Sequence, residues 1–440
     1  MRRKISLWVV LLFAWISIVL MILFGWAVWH TVSGGQRLGV LGKAIISIAK
    51  FPSTVNEAFT QLPHPNPLFL ADKYPNVKSI RSNNSLADDG YILLSSYDKE
   101  YKQTAVNLIR LSDLKNLHTW ILSLQNQKKG YTFFAKDDNR DLRMLHPLLL
   151  KDGSIIFQYF VSSLISIDLH SNIQWVLKGR FHHSKELDVD ENIWVPIKID
   201  SSKSRAPILN FLEDDALGKV SKTGKLLYQK SVAEILIENG YRGLLFGTGS
   251  INADPIHLND IQPALTTTKY WNRGDLLVSI RHRSTVFLYR PTTNKIIWLK
   301  TGPWLNQHDV DFIDSTRIGV FGNDLVASRI SHHPDFLING HNEEYIYDFA
   351  TDKISTPYTE FLSSSKVGTL SEGRSDVLEN GDLFVEETNF GRLLRGNKKH
   401  EIWSLVDRID KKTISMLSWC RYISKEEFEQ KYSKINFNSK

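Results

Sequence analysis

The chain consists of short apolar runs separated by polar, turn-rich segments, and its longest apolar stretch lies at the N-terminus. Four of the polar segments, which we call heads, each precede an apolar run with the length and composition of a strand. The heads are FHHSKELDVDEN, HLNDIQP, QHDVDFID and SEGRSDVLENG, and the runs begin at Ile193, Leu276, Ile318 and Leu383. Few segments have the 3.6-residue periodicity of a helix, so the pattern predicts a mostly β fold.

Three of the heads carry a histidine at the same place. His183 and His308 each lie ten positions before the first apolar residue of the following run. His257 lies nineteen positions before its run, which becomes about ten if the polar insert 266–272 forms a loop. In a radial repeat fold, equivalent positions of successive units face one axis. The spacing therefore predicts that these imidazoles meet at a common centre.

An aromatic residue after a polar turn recurs at intervals on the order of 50 to 70 residues, which is the range of large propeller blades. These residues are Trp120, Trp175, Tyr228, Trp298 and Trp403, whereas the fifth repeat has Ile354 and Ser355 there. The intervals predict six four-stranded units, at 83–125, 140–179, 183–232, 257–302, 308–356 and 371–406. We therefore expect an all-β fold, a six-bladed β-propeller, whose C-terminal tail adds a strand and a terminal helix.

The N-terminus begins with a basic tip and continues as an apolar stretch. Residues 2–4 are basic, and 5–29 are uncharged and mostly apolar, long enough to cross a bilayer as a helix. Basic residues stay on the cytoplasmic side. We expect a cytoplasmic tip and single-pass transmembrane anchor at 1–33, a juxtamembrane connector at 34–82, and the propeller with its tail at 83–440, on the periplasmic side of the cell membrane. A cleaved signal peptide is the alternative, although its apolar region is normally shorter.

Cysteine content and charge exclude several classes of protein. Cys420 is the only cysteine, so the chain forms no internal disulfide and has no zinc-binding cysteine pattern. The net charge is +7 and is spread along the chain without a basic block, which argues against a nucleic-acid partner.

The residues around the heads suit an oxyanion. Asn259 follows His257 by two positions, and Arg281 comes directly after the next apolar strand. Guanidinium, carboxamide and imidazole groups together can hold the oxygens of a tetrahedral anion. Zinc is the alternative for three histidines, but a neighbouring arginine would repel it, so we predict no metal and no cofactor. For each single histidine, a structural hydrogen bond remains the simpler explanation.

The segments HLNDIQP, GDLLVSIRHRSTVFLYRPTTNKIIW and QHDVDFIDSTRIGVFGND, in this order, resemble the bacterial arylsulfotransferase family. FHHSKELDVDENIWV and SEGRSDVLENGDLFVEETNFGRLLRGNKKHEIW resemble its flanking blades, so the resemblance covers roughly 140–425. It implies a six-bladed propeller that moves a sulfuryl group from an aryl sulfate ester to a phenol, through a sulfated histidine and without a nucleotide sulfate donor.

The resemblance also implies roles for individual residues. His308 matches the transient nucleophile, and His257 and Asn259 match sulfuryl-binding positions. Arg281 matches the arginine that holds sulfate oxygens, and His183 matches a histidine that takes part in proton transfer.

Other positions match the family less well. His146 falls one position out of register and is interpreted as structural, and the match at Glu387 and Thr388 is loose. The single cysteine, the apparent anchor and the lack of a long N-terminal β domain depart from the better-known members, which leaves the oligomeric state and the acceptor open.

We therefore expect a membrane-anchored arylsulfotransferase with an aryl sulfate donor, a phenolic or other hydroxyl acceptor, and a sulfohistidine intermediate. A non-catalytic envelope propeller that binds an anionic glycan or a partner protein is the alternative from another class. A quinone-dependent propeller dehydrogenase is a third interpretation, suggested only by the frequent tryptophans.

Overall fold

The computed structural model describes residues 6–32, 38–39, 41–42, 44–49, 69–82, 85–122, 143–200, 213–247, 249, 254–327 and 335–437. The chain forms two compact units, Met1–Asn66 and Pro67–Lys440. The first contains one long helix, α1 (Leu7–Val32), whose side chains are apolar and mostly exposed. Its stretch Leu7–Thr31 is long and apolar enough to span a membrane.

The second unit is mostly β. Its strands are β1 (Phe69–Ala71), β2 (Lys78–Ser79), β3 (Tyr91–Asp98), β4 (Gln103–Arg110), β5 (Lys115–Trp120), β6 (Leu145–Leu149), β7 (Ile155–Gln158), β8 (Ser162–Ile167), β9 (Ile173–Phe181), β10 (Glu186–Leu187), β11 (Ile193–Ile199), β12 (Asp214–Val220), β13 (Leu226–Ser231), β14 (Leu258–Pro263), β15 (Leu276–Ile280), β16 (Thr285–Arg290), β17 (Lys295–Thr301), β18 (Asp309–Phe312), β19 (Arg317–Gly322), β20 (Leu325–Val326), β21 (Phe336–Leu337), β22 (Glu343–Asp348), β23 (Lys353–Ser355), β24 (Arg374–Val377), β25 (Leu383–Glu387), β26 (Arg392–Gly396), β27 (Glu401–Val406), β28 (Thr413–Ser415) and β29 (Arg421–Ile423). Its short helices are α2 (Val232–Glu238), α3 (Arg242–Phe246), α4 (Thr359–Ser364) and α5 (Lys425–Lys431), with 3-10 turns at Arg281–Arg283 and Thr388–Phe390.

The sheets are antiparallel and follow one another along the chain in a propeller-like arrangement. Three have the strand orders β14-β15-β16-β17, β18-β19-β22-β23 and β24-β25-β26-β27, and the last is extended by β2, which pairs with β27 in parallel. An eight-stranded sheet contains β6 to β13, and its two halves meet through one residue pair, Phe181 with Ile197. The mostly β fold predicted from the apolar runs is thus confirmed.

The first sheet is completed from the other end of the chain. Its order is β29-β3-β4-β5, with Arg421 opposite Leu93 and Ile423 opposite Tyr91. Helix α5 follows at once, and the Ser424 side chain accepts a hydrogen bond from the backbone N–H of residue 427 at its start, a normal helix cap. The strand and helix predicted for the tail are therefore confirmed.

The core lies between successive sheets, which explains the continuous apolar runs. All five residues of β15 are buried, because a sheet stacked on both faces leaves neither side of its middle strands to solvent. One buried cluster joins Trp194 and Leu217 of the eight-stranded sheet to Val278 and Phe287 of the next sheet.

The recurring aromatic residues lie on the outermost strands, directly after a β-bulge. Trp175, Tyr228, Trp298 and Trp403 each pair with the middle strand where its register shifts by one residue. In the first sheet the residue after the bulge is His118, not Trp120. Assigning Trp120 to this series was wrong, because Trp120 lies two positions beyond the residue that follows the bulge and pairs with Val106.

The heads share a backbone feature that the apolar pattern does not reveal. A residue with positive φ lies just before or within each of β6, β10, β14, β18, β24 and β29, so the segments that lead into β6 and β29 share this feature with the four heads. These residues are His146, His183, His257, Asn306, Glu372 and Trp419, with φ between 47° and 61°. Non-glycine residues rarely adopt this conformation, so its recurrence marks a built feature of the fold.

Candidate functional site

Three of the heads and strand β6 bring four histidines together, and we call His146, His183, His257 and His308 the histidine hub. The ring centre of His183 lies 5.2 Å from that of His257, 6.2 Å from that of His308 and 6.2 Å from that of His146. The three histidines singled out by their spacing therefore meet. His146 lies beside His183 and has the same left-handed backbone, although it stands nine and not ten positions before the apolar run that begins at Ile155.

The tautomer of His308 is set by a buried amide. Asn323 donates its amide hydrogens to the backbone oxygens of Thr369 and Glu372, at 3.3 and 2.8 Å. Its Oδ1 must then face His308, 2.5 Å from Nδ1, and an amide oxygen can only accept a hydrogen bond. His308 therefore carries its proton on Nδ1 and a lone pair on Nε2.

That lone pair points towards a backbone donor. The N–H of Glu372 donates to His308 Nε2 at 3.2 Å. Glu372 is one of the left-handed head residues, and its carboxylate is held by both terminal nitrogens of Arg143, each at 2.8 Å. The ion pair fixes a backbone amide beside the unprotonated nitrogen of His308.

Arg281 lies beside the hub at the end of β15. Its backbone N–H donates to the His257 carbonyl at 3.0 Å, and one terminal nitrogen lies 2.9 Å from His282 Nε2. The Nε of Arg281 is buried without a hydrogen-bond partner among the described residues. A guanidinium with an unused buried donor is suited to an anion.

Asp254 orients His257. The carboxylate Oδ2 lies 2.7 Å from His257 Nδ1, and the Asp254 carbonyl lies 2.7 Å from His282 Nδ1. Burial alone would raise the pKa of Asp254, but the hydrogen bond and the neighbouring histidines hold this pKa at about 2. The carboxylate is thus ionised and fixes the Nδ1 proton of His257, as in other carboxylate–histidine pairs.

A metal ion does not fit this trio. Among the described residues, ligand atoms of Asp254, His257 and His282 lie within 4.8 Å of one another. However, both Nδ1 atoms already face oxygens at hydrogen-bond distance, and Arg281 contacts the remaining nitrogen of His282. To bind a cation, these residues would have to give up their hydrogen bonds, and the cation would lie next to a guanidinium. The donor set therefore favours an anion.

Burial favours the neutral form of His308 and His183. It lowers the pKa of His308 well below its ordinary value, and the charge of Arg281 lowers it further. It also lowers the pKa of His183, with added effects of His182 and His257. Neutral imidazole is the form that can act as a nucleophile or a base.

Two residues predicted or suspected as polar contacts are held by local partners. Asn259 is fully buried and donates to the Gln307 carbonyl at 3.0 Å, so the amide joins neighbouring heads. Thr388 accepts the N–H of Gly373 and donates to Glu386. By contrast, no sequence pattern pointed to Asn323 or Asp254 as functional residues. Asn323 nevertheless lies in the FGND segment at the end of β19.

A family model described as Arylsulfotransferase (ASST) matches residues 146–408. The chain belongs to the arylsulfotransferase family. The match covers more than half of the chain, contains the whole histidine hub with Arg281 and Asn323, and confirms the resemblance found in the ordered motifs. Membership supports sulfotransferase activity in general and implies donor and acceptor substrates.

Several solved structures are similar to this member of the arylsulfotransferase family. A protein of unknown function from Bacteroides caccae is 14% identical, with a TM-score of 0.48, over 76% of this chain and 99% of that one. Virginiamycin B lyase from Staphylococcus aureus is 10% identical, with a TM-score of 0.35, over 61% and 71%. Hydrazine synthase from Kuenenia stuttgartiensis is 9% identical, with a TM-score of 0.41, over 72% and 78%. Among curated proteins, none matches the chain.

Proposed function

We propose that the protein transfers a sulfuryl group from an aryl sulfate ester to a phenolic or other hydroxyl acceptor through a sulfated His308. The observation that carries the proposal is the fixed tautomer of His308, whose Nδ1 faces Asn323 and whose unprotonated Nε2 accepts the Glu372 N–H. A neutral, oriented imidazole nitrogen is the form of histidine that attacks an electrophile and later leaves it.

In the first half of the reaction, Nε2 of His308 attacks the sulfur and forms an N–S bond, while the S–O bond to the aryl group breaks. The departing oxygen takes both electrons of that bond and receives a proton from His183. The lone pair exchanges the Glu372 amide for sulfur, and this N–H then faces the sulfuryl oxygens. In the second half, the acceptor oxygen attacks sulfur, the N–S bond breaks towards Nε2, and His183 takes the hydroxyl proton.

The negative charge on the sulfuryl oxygens requires fixed donors. We assign this role to the Glu372 amide, which donates to Nε2, and to Arg281 and His257, which lie close enough to His308 to lower its pKa. Each such donor in a water-poor site is worth about 10²- to 10³-fold in rate. We assign Asn259 to the same binding region, as its match to the family indicates.

The architecture that presents this site is a six-bladed propeller in our proposal, with the eight-stranded sheet counted as two blades. Support comes from its two halves, which share one residue pair, and from the six left-handed residues at β6, β10, β14, β18, β24 and β29. We assign the catalytic domain to 83–440, the connector to 34–82 and the anchor to 1–33, with the propeller on the periplasmic side of the inner membrane.

A labelling experiment tests the nucleophile. Purified protein is mixed with an aryl sulfate without acceptor, and the intact mass should rise by one SO3 group carried on the His308 peptide. The His308→Gln variant should give neither adduct nor phenol release, while His170→Gln, at an exposed turn, should behave as wild type. Retention of the aryl sulfate without phenol release would instead indicate a binding protein.

Membrane anchoring has its own test. Full-length protein should stay in the membrane pellet after an alkaline wash, because an apolar α1 has no favourable place in water. A Leu12→Arg and Leu20→Arg double variant should move to the supernatant, since each charge at the bilayer centre costs about 2.5–3.5 kcal/mol. The change Leu227→Arg, at an exposed site of β13, should leave the distribution unchanged.

A further inference from the structure

A second, buried histidine stands behind His183. The two Nδ1 atoms of His182 and His183 lie 2.7 Å apart. On its other side, His182 Nε2 lies 3.2 Å from Asp215 Oδ1, close enough for an ion pair although not aligned as a hydrogen bond. His182 is 2% exposed and Asp215 is 1% exposed, so carboxylate and imidazole meet away from water.

The Asp215 carboxylate is fixed by the strand that follows His257. Asp215 belongs to β12, and its second oxygen accepts the backbone N–H of Leu258 at 2.8 Å. Leu258 directly follows His257. His182 is held in turn by its backbone N–H, which donates to the Pro196 carbonyl at 3.2 Å. Backbone hydrogen bonds therefore hold both Asp215 and His182 in place next to the hub.

The short contact between the two Nδ1 atoms requires a shared proton. Two lone pairs at 2.7 Å repel each other, so one Nδ1 must donate to the other. If His183 donates, its Nε2 is left with a lone pair and is a proton acceptor. If His182 donates, the Nε2 of a neutral His183 carries hydrogen and is a proton donor. The position of one proton thus decides how His183 acts at the hub.

We propose that Asp215 and His182 form a proton relay behind His183 that switches it between general acid and general base. This inference rests on the proposed two-step transfer and adds two positioning residues to it. When His183 Nε2 takes the acceptor's proton, its Nδ1 proton passes to His182, and the positive charge comes to rest on His182 beside the carboxylate. When a leaving phenolate takes the Nε2 proton, the His182 proton returns to His183, so one cycle conserves protons.

The surroundings explain why a relay is needed. A positively charged His183 would stand 5.2 Å from the ring of His257, in a site whose burial disfavours charge. Burial and the neighbouring histidines lower the pKa of His183 well below its ordinary value. Moving the charge one residue back, to a partner of Asp215, gives it a counter-ion.

The test compares two donors whose leaving groups differ in basicity. 4-Nitrophenolate leaves readily without a proton, whereas phenolate, from a phenol with a pKa near 10, needs one. In single-turnover release, Asp215→Asn should slow phenol release from phenyl sulfate about 100-fold, the lower end of what general acid catalysis contributes. Release of 4-nitrophenol from 4-nitrophenyl sulfate should fall by less than about 5-fold, because proton donation matters little there.

Two further variants keep the test decisive. His182→Gln leaves the Asp215 bond to Leu258 intact and should reproduce the same donor dependence. Asp214→Asn makes the same chemical change at the neighbouring buried carboxylate of β12, which bonds Ser231 at 2.6 Å, and should slow neither donor selectively.

Equal losses on both donors in Asp215→Asn and His182→Gln would overturn the relay and leave a merely structural role for both residues. No release of either phenol by the wild-type protein would overturn the sulfotransferase proposal itself. A selective loss on phenyl sulfate, with 4-nitrophenyl sulfate still turned over and the His308 adduct still formed, supports the relay.

Discussion

At the scale of single residues, the chemistry of the site depends on how each imidazole is held. His308 is 3% exposed, and one amide decides which of its nitrogens carries hydrogen. The amide cannot rotate without giving up its bonds to the Thr369 and Glu372 carbonyls. Buried polar groups that lose such bonds cost about 1–3 kcal/mol each. The nucleophile is therefore oriented before any substrate arrives.

Asn323→Ala should separate orientation from folding. Without the acceptor at Nδ1, His308 can adopt the wrong tautomer, and we expect formation of the sulfated enzyme to slow by about 10²-fold or more. Asn342→Ala is the matched control, since Asn342 is equally buried and bonds the Asn323 and Thr369 carbonyls. Stopped-flow phenol release and chemical denaturation measure the two effects. Equal slowing in both variants at equal stability would contradict the assignment.

At the scale of elements, the strand from the tail has the largest effect for its size. β29 has three residues, yet it is the innermost strand of the first sheet and closes it against β3. Arg421 of the same strand reaches Glu186 of β10 with bonds of 2.9 and 3.2 Å. This short strand therefore joins the C-terminal tail to β3 of the first sheet and to β10 of the eight-stranded sheet.

Ile423→Ala measures this contribution. The side chain is 4% exposed within a buried apolar cluster, so its truncation should lower the free energy of unfolding by about 2–5 kcal/mol. Ile402→Ala removes the same atoms from an outer-strand position that is 47% exposed and should stay within about 0.5 kcal/mol of wild type. Urea denaturation of the full chain compares them. Similar losses would mean that β29 is only loosely attached.

At the scale of the whole molecule, charge is sorted along the inner strands. The imidazoles form the hub, with Arg281 beside it. Buried carboxylates lie further along the strands that follow these histidines. Asp309 comes directly after His308, and Arg374 lies 3.4 Å from Asp309 and 3.4 Å from Asp376. A cavity of about 270 Å³ is lined by members of this group, including Asp311, Arg374 and Asp376. More carboxylates than arginines are buried here, so several of them favour the protonated form.

The effect of a buried carboxylate on the pH dependence of stability can be measured at Glu344. Burial raises its pKa to about 8, so the folded protein keeps a proton that the unfolded chain loses above its ordinary pKa. This contribution to stability is fully present at low pH and is lost as the pH rises through about 8. Between about pH 5 and pH 7, wild type should lose about 1.4 kcal/mol per pH unit relative to Glu344→Gln. Calorimetry at several pH values tests it, with the exposed Glu379→Gln as control.

The apolar runs and the heads could be predicted from the sequence because they depend only on residues that are close together along the chain. A strand buried on both faces needs a continuous apolar run, so β11, β15 and β25 begin where the runs begin, and β19 begins one residue earlier. The ten-residue spacing reflects the length of one inner strand and its turn. Ordered motifs of this kind also carry the family, and the apolar N-terminal stretch has the length of a spanning helix.

The tertiary structure alone decided which groups touch the histidines. Asn323, Glu372 and Asp215 lie 15 or more positions from their imidazole partners, on other strands or heads, and common residue types at such distances leave no pattern in a sequence. The structure also placed His146 beside His183 and put His118, not Trp120, directly after the bulge of the first sheet. Local sequence sets the strands and the spacing of the heads, whereas contacts between distant strands set the protonation of the site.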